Sequence, residues 1–481
     1  MKLTVFAFVL LLAGTAGVSA QAPDRSKPPA SGAAPALKLP AIQKRQLTNG
    51  LPVWMVELHE VPVVQVNLLV LGGSADDPAR KYGVASLMAS MLAEGAASRS
   101  SLEIADAIDF LGADLSAASA INSIGVRLHV PVARLADALP IMADVALRPT
   151  FPPSELERLR QQRLTSLLQA RDDASTIASL AFSKVLYGGD HRFGTATMGT
   201  AETIKSFTAE DLRSFYATLF RPENGALIVV GDIVADKVLP QLEANFGKWQ
   251  PPGAAGGRAG ATTTGQPVTR VVYIVDKPNA PQSQIRIGWI GVPRSTPDYF
   301  PILVMNTVLG GAFSSRLNLN LREKHGYTYG ATSNFDMRVT AGPFTSAAGV
   351  QTDKTSESLT EFFNELNAML KPVPADELAR AKNYVALRFP SSLEATSDIS
   401  RRLEDMLVFK LPDDYYSRYV QSIQAVTAAD VQRVAQQYLS PDKFAVVVVG
   451  DRKTVEPGIR ALNLGAIVEL KVDDVFGQQG R

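Results

Sequence analysis

Residues 309–331, LGGAFSSRLNLNLREKHGYTYGA, combine a predicted helix, a glycine stop and a tyrosine-bearing strand. Ser314 or Ser315 can cap a helix that runs to about Lys324, because serine side chains accept hydrogen bonds from the first amides of a helix. Gly326 can end this helix, since glycine readily adopts the left-handed conformation that follows a last helical turn. The stretch therefore predicts a helix and a strand joined by a tight turn.

The strand predicted after this turn, residues 327–333, carries two tyrosines. Side chains alternate across a strand, so Tyr327 and Tyr329 are expected on one face and Thr328 on the other. From spacing alone, two interpretations of Arg322 and Tyr329 stay open. They are either structural groups, with the arginine in a surface ion pair and the tyrosine in the core, or groups that bind a substrate.

Length and composition limit the possible classes of protein. The chain has 481 residues, more than one hydrophobic core usually serves, which predicts two or more domains. Hydrophobic residues make up 46% of the chain and charged residues 20%, as in ordinary globular proteins. The chain has 48 Lys and Arg residues and 47 Asp and Glu residues, with no long run of one sign. Binding to nucleic acid requires clustered positive charge, so nucleic acid is not an expected partner.

Residues 1–20 have the pattern of a secretory signal, with an early lysine, an apolar run and small residues before cleavage after Ala20. An uncleaved core helix is the alternative interpretation. Residues 21–41 are rich in Pro, Ala, Ser and Gly and are predicted to be a flexible tether. With no cysteine and no later apolar span, we expect a periplasmic or secreted protein without disulfides, thiol nucleophile or membrane span.

Two distant segments, residues 208–232 and 427–451, repeat the order of predicted helix, turn and strand closed by Gly-Asp. A constant spacing with matching element types indicates two homologous halves of about 220 residues each. The spacing is 219 residues for each of these pairs: Thr208 and Thr427, Pro222 and Pro441, and Gly231 and Gly450.

The halves are predicted to be joined by residues 251–268, a Gly, Ala, Thr and Pro-rich stretch without periodicity. This places one domain at residues 42–250 and the other at residues 269–470. In each half, β-branched runs typical of strands alternate with amphipathic helices. The predicted fold class is therefore α+β, with a mixed sheet packed with helices in each half.

One helix of the first half has a distinctive solvent face. Between Gly83 and Gly95, apolar residues recur at helical spacing and predict one buried face. The buried face is formed by Val84, Leu87, Met88, Met91 and Leu92. The residues off this face include Ser86, Ala89 and Ser90.

With these motifs in place, the chain resembles the pitrilysin/insulinase family of zinc peptidases, which includes the mitochondrial processing peptidases and the core subunits of a respiratory complex. The resemblance covers nearly all of residues 42–463, and it is most specific at GVASLMASMLAEG (83–95) and SSRLNLNLREKHGYTYG (314–330). It implies two similar halves that face each other across a chamber. Catalytic members carry H-x-x-E-H on the early helix and a further Glu about seventy-five residues later.

The resemblance places the three motif positions at Ser86, Ala89 and Ser90, and the distal Glu near Thr165 or Ser166. Imidazoles at i and i+4 can share one Zn²⁺, and the intervening Glu can act as a general base. Serine hydroxyls are poor zinc ligands and alanine offers no base. No metal ligands are therefore predicted in this chain.

The remaining candidates for a metal site are His59, His129, His191 and His325, and no two of them have metal-ligand spacing. Each is expected to be a surface or hydrogen-bonded histidine. His325 has substrate contact as an alternative role, because it lies between Arg322 and Tyr329. Zinc is thus expected on a partner subunit and not on this chain.

The late motif of the family is an Arg followed seven residues later by a Tyr, which selects Arg322 and Tyr329 as the candidate catalytic residues. The resemblance implies that the guanidinium binds a substrate carbonyl and that the phenol stabilises the oxyanion formed when water attacks. Tyr327 is not selected.

The hypothesis is a non-catalytic subunit of an exported heteromeric zinc metalloendopeptidase. We expect this chain to be inactive alone and to act on peptide substrates together with a homologous partner that contains H-x-x-E-H. The first alternative is a structural or peptide-binding subunit with no part in catalysis. The second is a self-sufficient hydrolase using Ser86 or Ser90, which no G-x-S-x-G turn or nearby His or Lys supports.

Overall fold

The computed structural model of the chain describes residues 40–250 and 269–477. The predicted signal segment 1–20, most of the tether 21–41 and the linker 251–268 lie outside the described residues and stay predictions. Within the described ranges, no helix is long and apolar enough to cross a membrane.

Strands and helices alternate through residues 40–250. The strands are β1 (Gln43–Gln46), β2 (Pro52–Glu57), β3 (Val63–Leu71), β4 (Gly95–Ala96), β5 (Arg99–Ser100), β6 (Asp114–Ser119), β7 (Ser123–Pro131) and β8 (Gly225–Gly231). The helices are α1 (Val84–Met91), α2 (Ser101–Phe110), α3 (Leu135–Leu147), α4 (Pro153–Ala170), α5 (Ala174–Tyr187), α6 (Ala201–Ser206), α7 (Ala209–Leu219) and α8 (Ala235–Phe246).

Residues 269–477 follow a similar order. The strands are β9 (Val271–Asp276), β10 (Gln282–Ile290), β11 (Thr328–Phe335), β12 (Pro343–Gln351), β13 (Ala445–Gly450) and β14 (Ala466–Leu470). The helices are α9 (Tyr299–Asn306), α10 (Arg316–Asn318), α11 (Thr355–Ala368), α12 (Ala375–Arg388), α13 (Thr396–Val408), α14 (Tyr419–Ala425), α15 (Ala428–Tyr438), α16 (Arg452–Ala461) and α17 (Val472–Phe476).

Each half builds one mixed six-stranded sheet, which confirms the predicted α+β class. The strand order is β1-β2-β8-β3-β7-β6 in the first sheet and β11-β12-β10-β13-β9-β14 in the second. Strands β2 and β8 pair in parallel, as β9 does with β13 and β14, and the other pairs are antiparallel. A separate short hairpin joins β4 to β5.

The repeat found in the sequence is also a structural repeat. Thr208 caps α7 and Thr427 caps α15, each through a capping box completed by an aspartate, Asp211 or Asp430. The following strands, β8 and β13, both lie in the interior of their sheets. The equivalent capping chemistry explains why the same helix begins at the same place in both halves.

Helices cover both faces of each sheet, and one of these helices comes from the other half. Helix α5 of the first half packs on β10 and β13, whereas α13 of the second half packs on β3 and β8. Beneath α13, Ile399 and Leu403 join a buried cluster with Leu69, Ile228 and Val230. Because both of their faces are covered, β8 and β13 are continuous apolar runs. Strands β3 and β10 instead carry polar residues, such as Asn67 and Arg286, that bond to the helices packed on them. The exchange also explains why the described residues belong to one compact unit.

A buried polar network fixes α13 against the first sheet. Asn67 Nδ2 donates to Glu404 Oε1 at 2.8 Å, and Gln65 Nε2 donates to Asn67 Oδ1 at 2.6 Å. Arg127 holds the same carboxylate with two hydrogen bonds, Nε to Oε1 at 3.1 Å and Nη2 to Oε2 at 2.8 Å. A two-point contact of this kind sets the position of the helix as well as its distance from the sheet.

Glu404→Gln should lower the free energy of unfolding by about 2 kcal/mol, because it removes the charge of a buried carboxylate that accepts two hydrogen bonds from the partly exposed Arg127 guanidinium. The measurement is urea denaturation followed by circular dichroism. The matched control is Asp398→Asn on the same helix, whose 3.9 Å pair with Arg401 is solvent-exposed and should contribute less than about 1 kcal/mol. Equal losses in the two variants would show that the network does not join the halves.

Candidate functional site

The predicted helix of the late stretch is present, but its second part is π-helical, as is the end of the helix before it. Helix α9 continues as a π turn over Thr307–Gly311, and α10 continues as a second over Leu319–Lys324. π-Helical turns are rare and occur frequently at functional sites. No pattern in the sequence predicts these turns, because they depend on how the helices pack against neighbouring elements.

The first π turn is pressed against strand β11. A side-chain carbon added to Gly310 would lie 2.3 Å from the backbone nitrogen of Ser333, so only glycine fits there. Asn306 Nδ2 donates to the Ser333 carbonyl at 3.0 Å, and the Ser333 hydroxyl donates to Asn306 Oδ1 at 2.7 Å. These contacts fix the spacing between the helix and the strand that carries Tyr329.

Helix α10, with the π turn that continues it, begins and ends where the sequence predicts. Ser315 occupies the N-cap of α10, although its hydroxyl makes no capping hydrogen bond. Gly326 has a φ of +66° and follows the last turn, as predicted. Its amide donates to the Arg322 carbonyl at 3.0 Å, and the Tyr327 amide donates to the Leu321 carbonyl at 2.9 Å. The chain therefore turns directly from the helix into β11.

Arg322 lies in the second π turn and keeps its guanidinium partly exposed. The guanidinium carbon is 4.5 Å from the centre of the Phe313 ring, a cation–π contact with an exposed aromatic side chain. Nε lies 3.4 Å from Glu323 Oε1, and 36% of the Arg322 side chain is accessible to solvent. A partly exposed ion pair of this kind contributes little stability, so the guanidinium is available to a ligand.

Tyr329 lies at a β-bulge in the edge strand β11. Thr328 pairs with Val350 and Ala331 with Ala348, so Tyr329 and Gly330 are accommodated in an irregular step of the ladder. Bulges at sheet edges redirect side chains, and the Tyr329 side chain is 88% exposed. The phenol therefore points to solvent and not into the core.

The predicted alternation of the two tyrosines is wrong. Tyr327 precedes the strand, packs against the core of the second half and stacks on His325 with ring centres 4.9 Å apart. Tyr329 is exposed instead, because the bulge interrupts the two-residue period on which the prediction depended. The structure thus separates the two phenols without reference to any relative.

In the first half, α1 carries the three motif positions as predicted. Ser86 and Ser90 are partly exposed on one side of the helix, one turn apart, and Ala89 is buried. The Ser90 hydroxyl lies 3.0 Å from the Ser86 carbonyl, to which it can donate. The helix spacing for a two-ligand site is present, but the side chains offer only hydroxyls.

The residue that faces these serines is Arg163 on α4. Its Nη2 donates to the Ser86 carbonyl at 2.9 Å, to the Ser86 hydroxyl at 3.1 Å and to the Ser90 hydroxyl at 2.9 Å. The residues estimated from the sequence for the distal Glu, Thr165 and Ser166, make no such bond to the serines. Thr165 is exposed, and the Ser166 hydroxyl donates to the backbone of its own helix.

A signal for Arg163 was present in the sequence. Leu156, Leu159 and Leu167 form the buried stripe of α4. Arg163 falls on the same stripe at helical spacing, where an apolar residue is expected. A charged residue within an apolar stripe indicates a buried charge with a specific partner.

An ion pair anchors the start of α1. Asp77 accepts hydrogen bonds from the amides of Gly83 at 2.6 Å and Ala85 at 2.9 Å, and lies 2.8 Å from Arg192 Nε. Burial raises the pKa of Asp77 to about 6 against the opposing effect of Arg192, so the carboxylate is ionised at neutral pH. Burial also lowers the pKa of Arg163 to about 10, with Asp77 opposing, and the guanidinium stays protonated. The serine face of α1 is therefore held in place beside a fixed positive charge.

Comparison with known proteins identifies the family of this chain. A family model described as insulinase, peptidase family M16, matches residues 53–191, and a model described as the peptidase M16 inactive domain matches residues 206–385. The two matches follow one another and together span most of the chain. The chain belongs to peptidase family M16.

Relatives of this M16 chain are similar over nearly their whole length. An uncharacterised zinc protease of Bacillus subtilis, YmxG, is 25% identical over 414 residues, which are 85% of this chain and 98% of that protein. The crystal structure of a peptidase M16 inactive domain from Pseudomonas fluorescens has a TM-score of 0.77 and 29% identity, covering 85% of this chain and 98% of that one. A chain of complex III2 from Candida albicans shares the fold alone, with a TM-score of 0.71 and 15% identity over 87% of this chain and 99% of that chain.

The zinc that the M16 family implies does not fit the residues present on α1. Ser86 and Ser90 offer neutral hydroxyls that already accept from a guanidinium, and Ala89 has no base. In the part of the chain that the structure describes, no three His, Cys, Asp or Glu residues converge on a common metal position. Of the histidines, His59 instead bonds Asp232 at 2.8 Å, which raises its pKa, and His191 stacks on Tyr187.

Thr328 supports the bulge at Tyr329. Its hydroxyl lies 2.9 Å from the Gly330 carbonyl and 2.7 Å from the Gly349 carbonyl, and it accepts from the Gly330 amide at 3.1 Å. The Thr328 side chain therefore replaces ladder hydrogen bonds that the irregular step interrupts. This makes Thr328 the residue on which the exposed position of Tyr329 depends.

Thr328→Val should lower the free energy of unfolding by about 1 kcal/mol, because it keeps the shape of the side chain and removes these hydrogen bonds. It should also accelerate amide exchange at Gly330. The control, Thr332→Val, changes an exposed residue of the same strand and should stay within about 0.5 kcal/mol of wild type. Unchanged exchange at Gly330 would contradict the role given to Thr328.

Proposed function

We propose that this chain is the non-catalytic subunit of an exported, heteromeric zinc metallopeptidase. In the assembly it closes the substrate chamber and contributes Arg322 and Tyr329 to peptide binding and transition-state stabilisation. The observation that carries the proposal is the contrast between the halves. An exposed phenol and a partly exposed guanidinium are retained in the second half, whereas the motif positions of the first half hold serine and alanine.

The chemistry of the two groups fits peptide hydrolysis. A guanidinium donates to carbonyl oxygens through a planar set of N–H groups and stays charged at all relevant pH values. A phenol with its hydroxyl in solvent can donate to the negative oxygen that forms when a peptide carbonyl is attacked. Donors held at such an oxyanion contribute about 10² to 10³-fold in rate.

Each side chain is positioned by a different element. Arg322 is held by the Phe313 ring and the second π turn, and Tyr329 is held by the bulge in β11. The direct turn between helix and strand keeps the two elements adjacent. Rigid support of this kind suits groups that act on a transition state, because they lose little freedom when the substrate binds.

The missing parts come from the partner. An H-x-x-E-H subunit would supply the zinc ion, which activates water and polarises the scissile carbonyl. This chain would bind the peptide against that site. Export follows from the signal pattern of residues 1–20 and places the complex in the periplasm or outside the cell.

The purified chain alone should cleave no peptide, and adding an exported H-x-x-E-H homologue should produce chelator-sensitive cleavage. The measurement is hydrolysis of a fluorogenic peptide library by each subunit and by the mixture. A catalytic subunit whose H-x-x-E-H glutamate is changed to glutamine serves as the control for contaminating peptidases. Cleavage by this chain alone, or no gain on mixing, would contradict the proposal.

In the assembled complex, Tyr329→Phe should reduce kcat by about 10² to 10³-fold, because it removes one oxyanion donor. Arg322→Ala should act mainly on KM by removing a contact to a substrate carbonyl. The matched control is Tyr327→Phe, two residues away, which should leave turnover near wild type. Gel filtration checks that each variant still assembles. Full activity of both the Tyr329 and Arg322 variants would leave a structural or peptide-binding subunit as the function.

A further inference from the structure

Arg163 is a charged residue that the proposed function does not use. It lies on the buried stripe of α4 and reaches across to α1, where its Nη2 is shared among three oxygens of Ser86 and Ser90. These are the two positions at which the M16 zinc motif carries its histidines. The guanidinium therefore stands where ligands of one metal ion would converge.

The surroundings of Arg163 are those of a cation held by neutral oxygens. Among the described residues, the negative charge that favours the protonated form of Arg163 is Asp77, which already pairs with Arg192. A buried cation without its own carboxylate is costly and persists only where other polar groups compensate. Here the compensation comes from two serine hydroxyls and one carbonyl, and it joins α1 to α4.

The fit is incomplete in one respect. Nη1 of Arg163 is buried and has no hydrogen-bond acceptor among the described residues. Buried donors are rarely left in this state, and each one requires an explanation. The serine face of α1 therefore engages one terminal nitrogen of Arg163 and leaves the other without an acceptor.

We infer that Arg163 is the built-in replacement for the metal ion: its guanidinium cross-links α1 and α4 where the M16 motif would hold zinc, and it excludes divalent cations from that place. Exclusion has two physical causes. A guanidinium has five N–H donors and no lone pair to offer a metal, and its fixed positive charge repels a second cation in a medium of low dielectric constant. The inference depends on α1 and α4 of this chain and not on the proposed partner subunit.

The inference also explains why serines occupy positions 86 and 90. A hydroxyl can accept from a guanidinium and is small enough to leave room for one between the helices. Histidine at the same two positions would place N–H groups and larger rings against Arg163. The three side chains are thus one matched set, and restoring the metal ligands alone should not restore a metal site.

The test compares two proteins that share Ser86→His, Ala89→Glu and Ser90→His, one keeping Arg163 and the other also carrying Arg163→Glu. After equilibrium dialysis against Zn²⁺, the protein with Arg163→Glu should hold about one zinc ion per chain, because it offers two imidazoles and a carboxylate. The protein that keeps Arg163 should bind zinc at least about tenfold more weakly, owing to charge repulsion and the missing ligand. Metal content is read by mass spectrometry.

Two further proteins make the comparison specific. Arg163→Gln in the same three-substitution background removes the charge without adding a carboxylate, and should also bind zinc more tightly than the protein with Arg163. It serves as the second variant if the glutamate protein does not fold. Arg401→Glu in that background makes the same change of net charge at an exposed residue far along the chain, and should not increase zinc binding.

Equal zinc content with and without Arg163, whether stoichiometric or negligible, would overturn the inference. So would an increase caused equally by Arg401→Glu, which would trace the effect to net charge alone. Because no partner subunit or peptide is present, these outcomes are independent of the reconstitution assays. Circular dichroism and thermal unfolding establish that the compared proteins are folded.

Discussion

The exchange of one helix between the halves is the interaction on which the rest of the structure depends. Helix α5 covers the second sheet and α13 covers the first, so neither sheet has both of its faces buried by its own half. Each crossing is also fixed by a polar contact from an interior strand of the sheet beneath, β3 in the first half and β10 in the second. Asn67 bonds to Glu404 at 2.8 Å, and Arg286 Nη2 bonds to the Ser175 hydroxyl at 2.9 Å.

These two contacts occupy equivalent places in the repeat, since Asn67 and Arg286 are 219 residues apart. The side chains differ, but both are polar groups on a central strand. Each one holds the helix that comes from the other half, α13 or α5, in one position on the sheet. A purely apolar contact would allow the helix to slide, because burial of apolar area has no direction. The polar pairs therefore make the relation between the halves specific.

With the central strands enclosed, the edge strands are where a functional side chain can reach solvent. Strand β11 is such an edge strand. Its bulge places the Tyr329 side chain outside the packed layers without removing buried apolar area from the core. Gly310 supports this from the other side by allowing the first π turn to approach Ser333 closely. The position of the phenol thus depends on packing that lies one layer beneath it.

Local patterns predicted much of this structure. The apolar stripe of α1, the helix, turn and strand repeated after Thr208 and Thr427, and the glycine that ends the late helix are short-range signals, and each was confirmed. The bulge at Tyr329 was not predictable, because it depends on pairing with β12. The exchange of α5 and α13 was not predictable either, because an amphipathic stripe shows that a helix is buried and not which sheet buries it.

The two arginines that matter most show how environment decides the role of one chemical group. Arg163 is partly buried, and one of its terminal nitrogens is shared by three oxygens of its own chain, so its charge serves the structure. Arg322 contacts an aromatic ring and one distant carboxylate oxygen at 3.4 Å, so its N–H groups stay available to solvent or ligand. Arg322 was identified from the spacing of the family motif. Arg163 was recognisable in the sequence only as a charged residue within an apolar stripe. The guanidinium of the first half thus joins two helices, whereas that of the second half stays partly open to solvent.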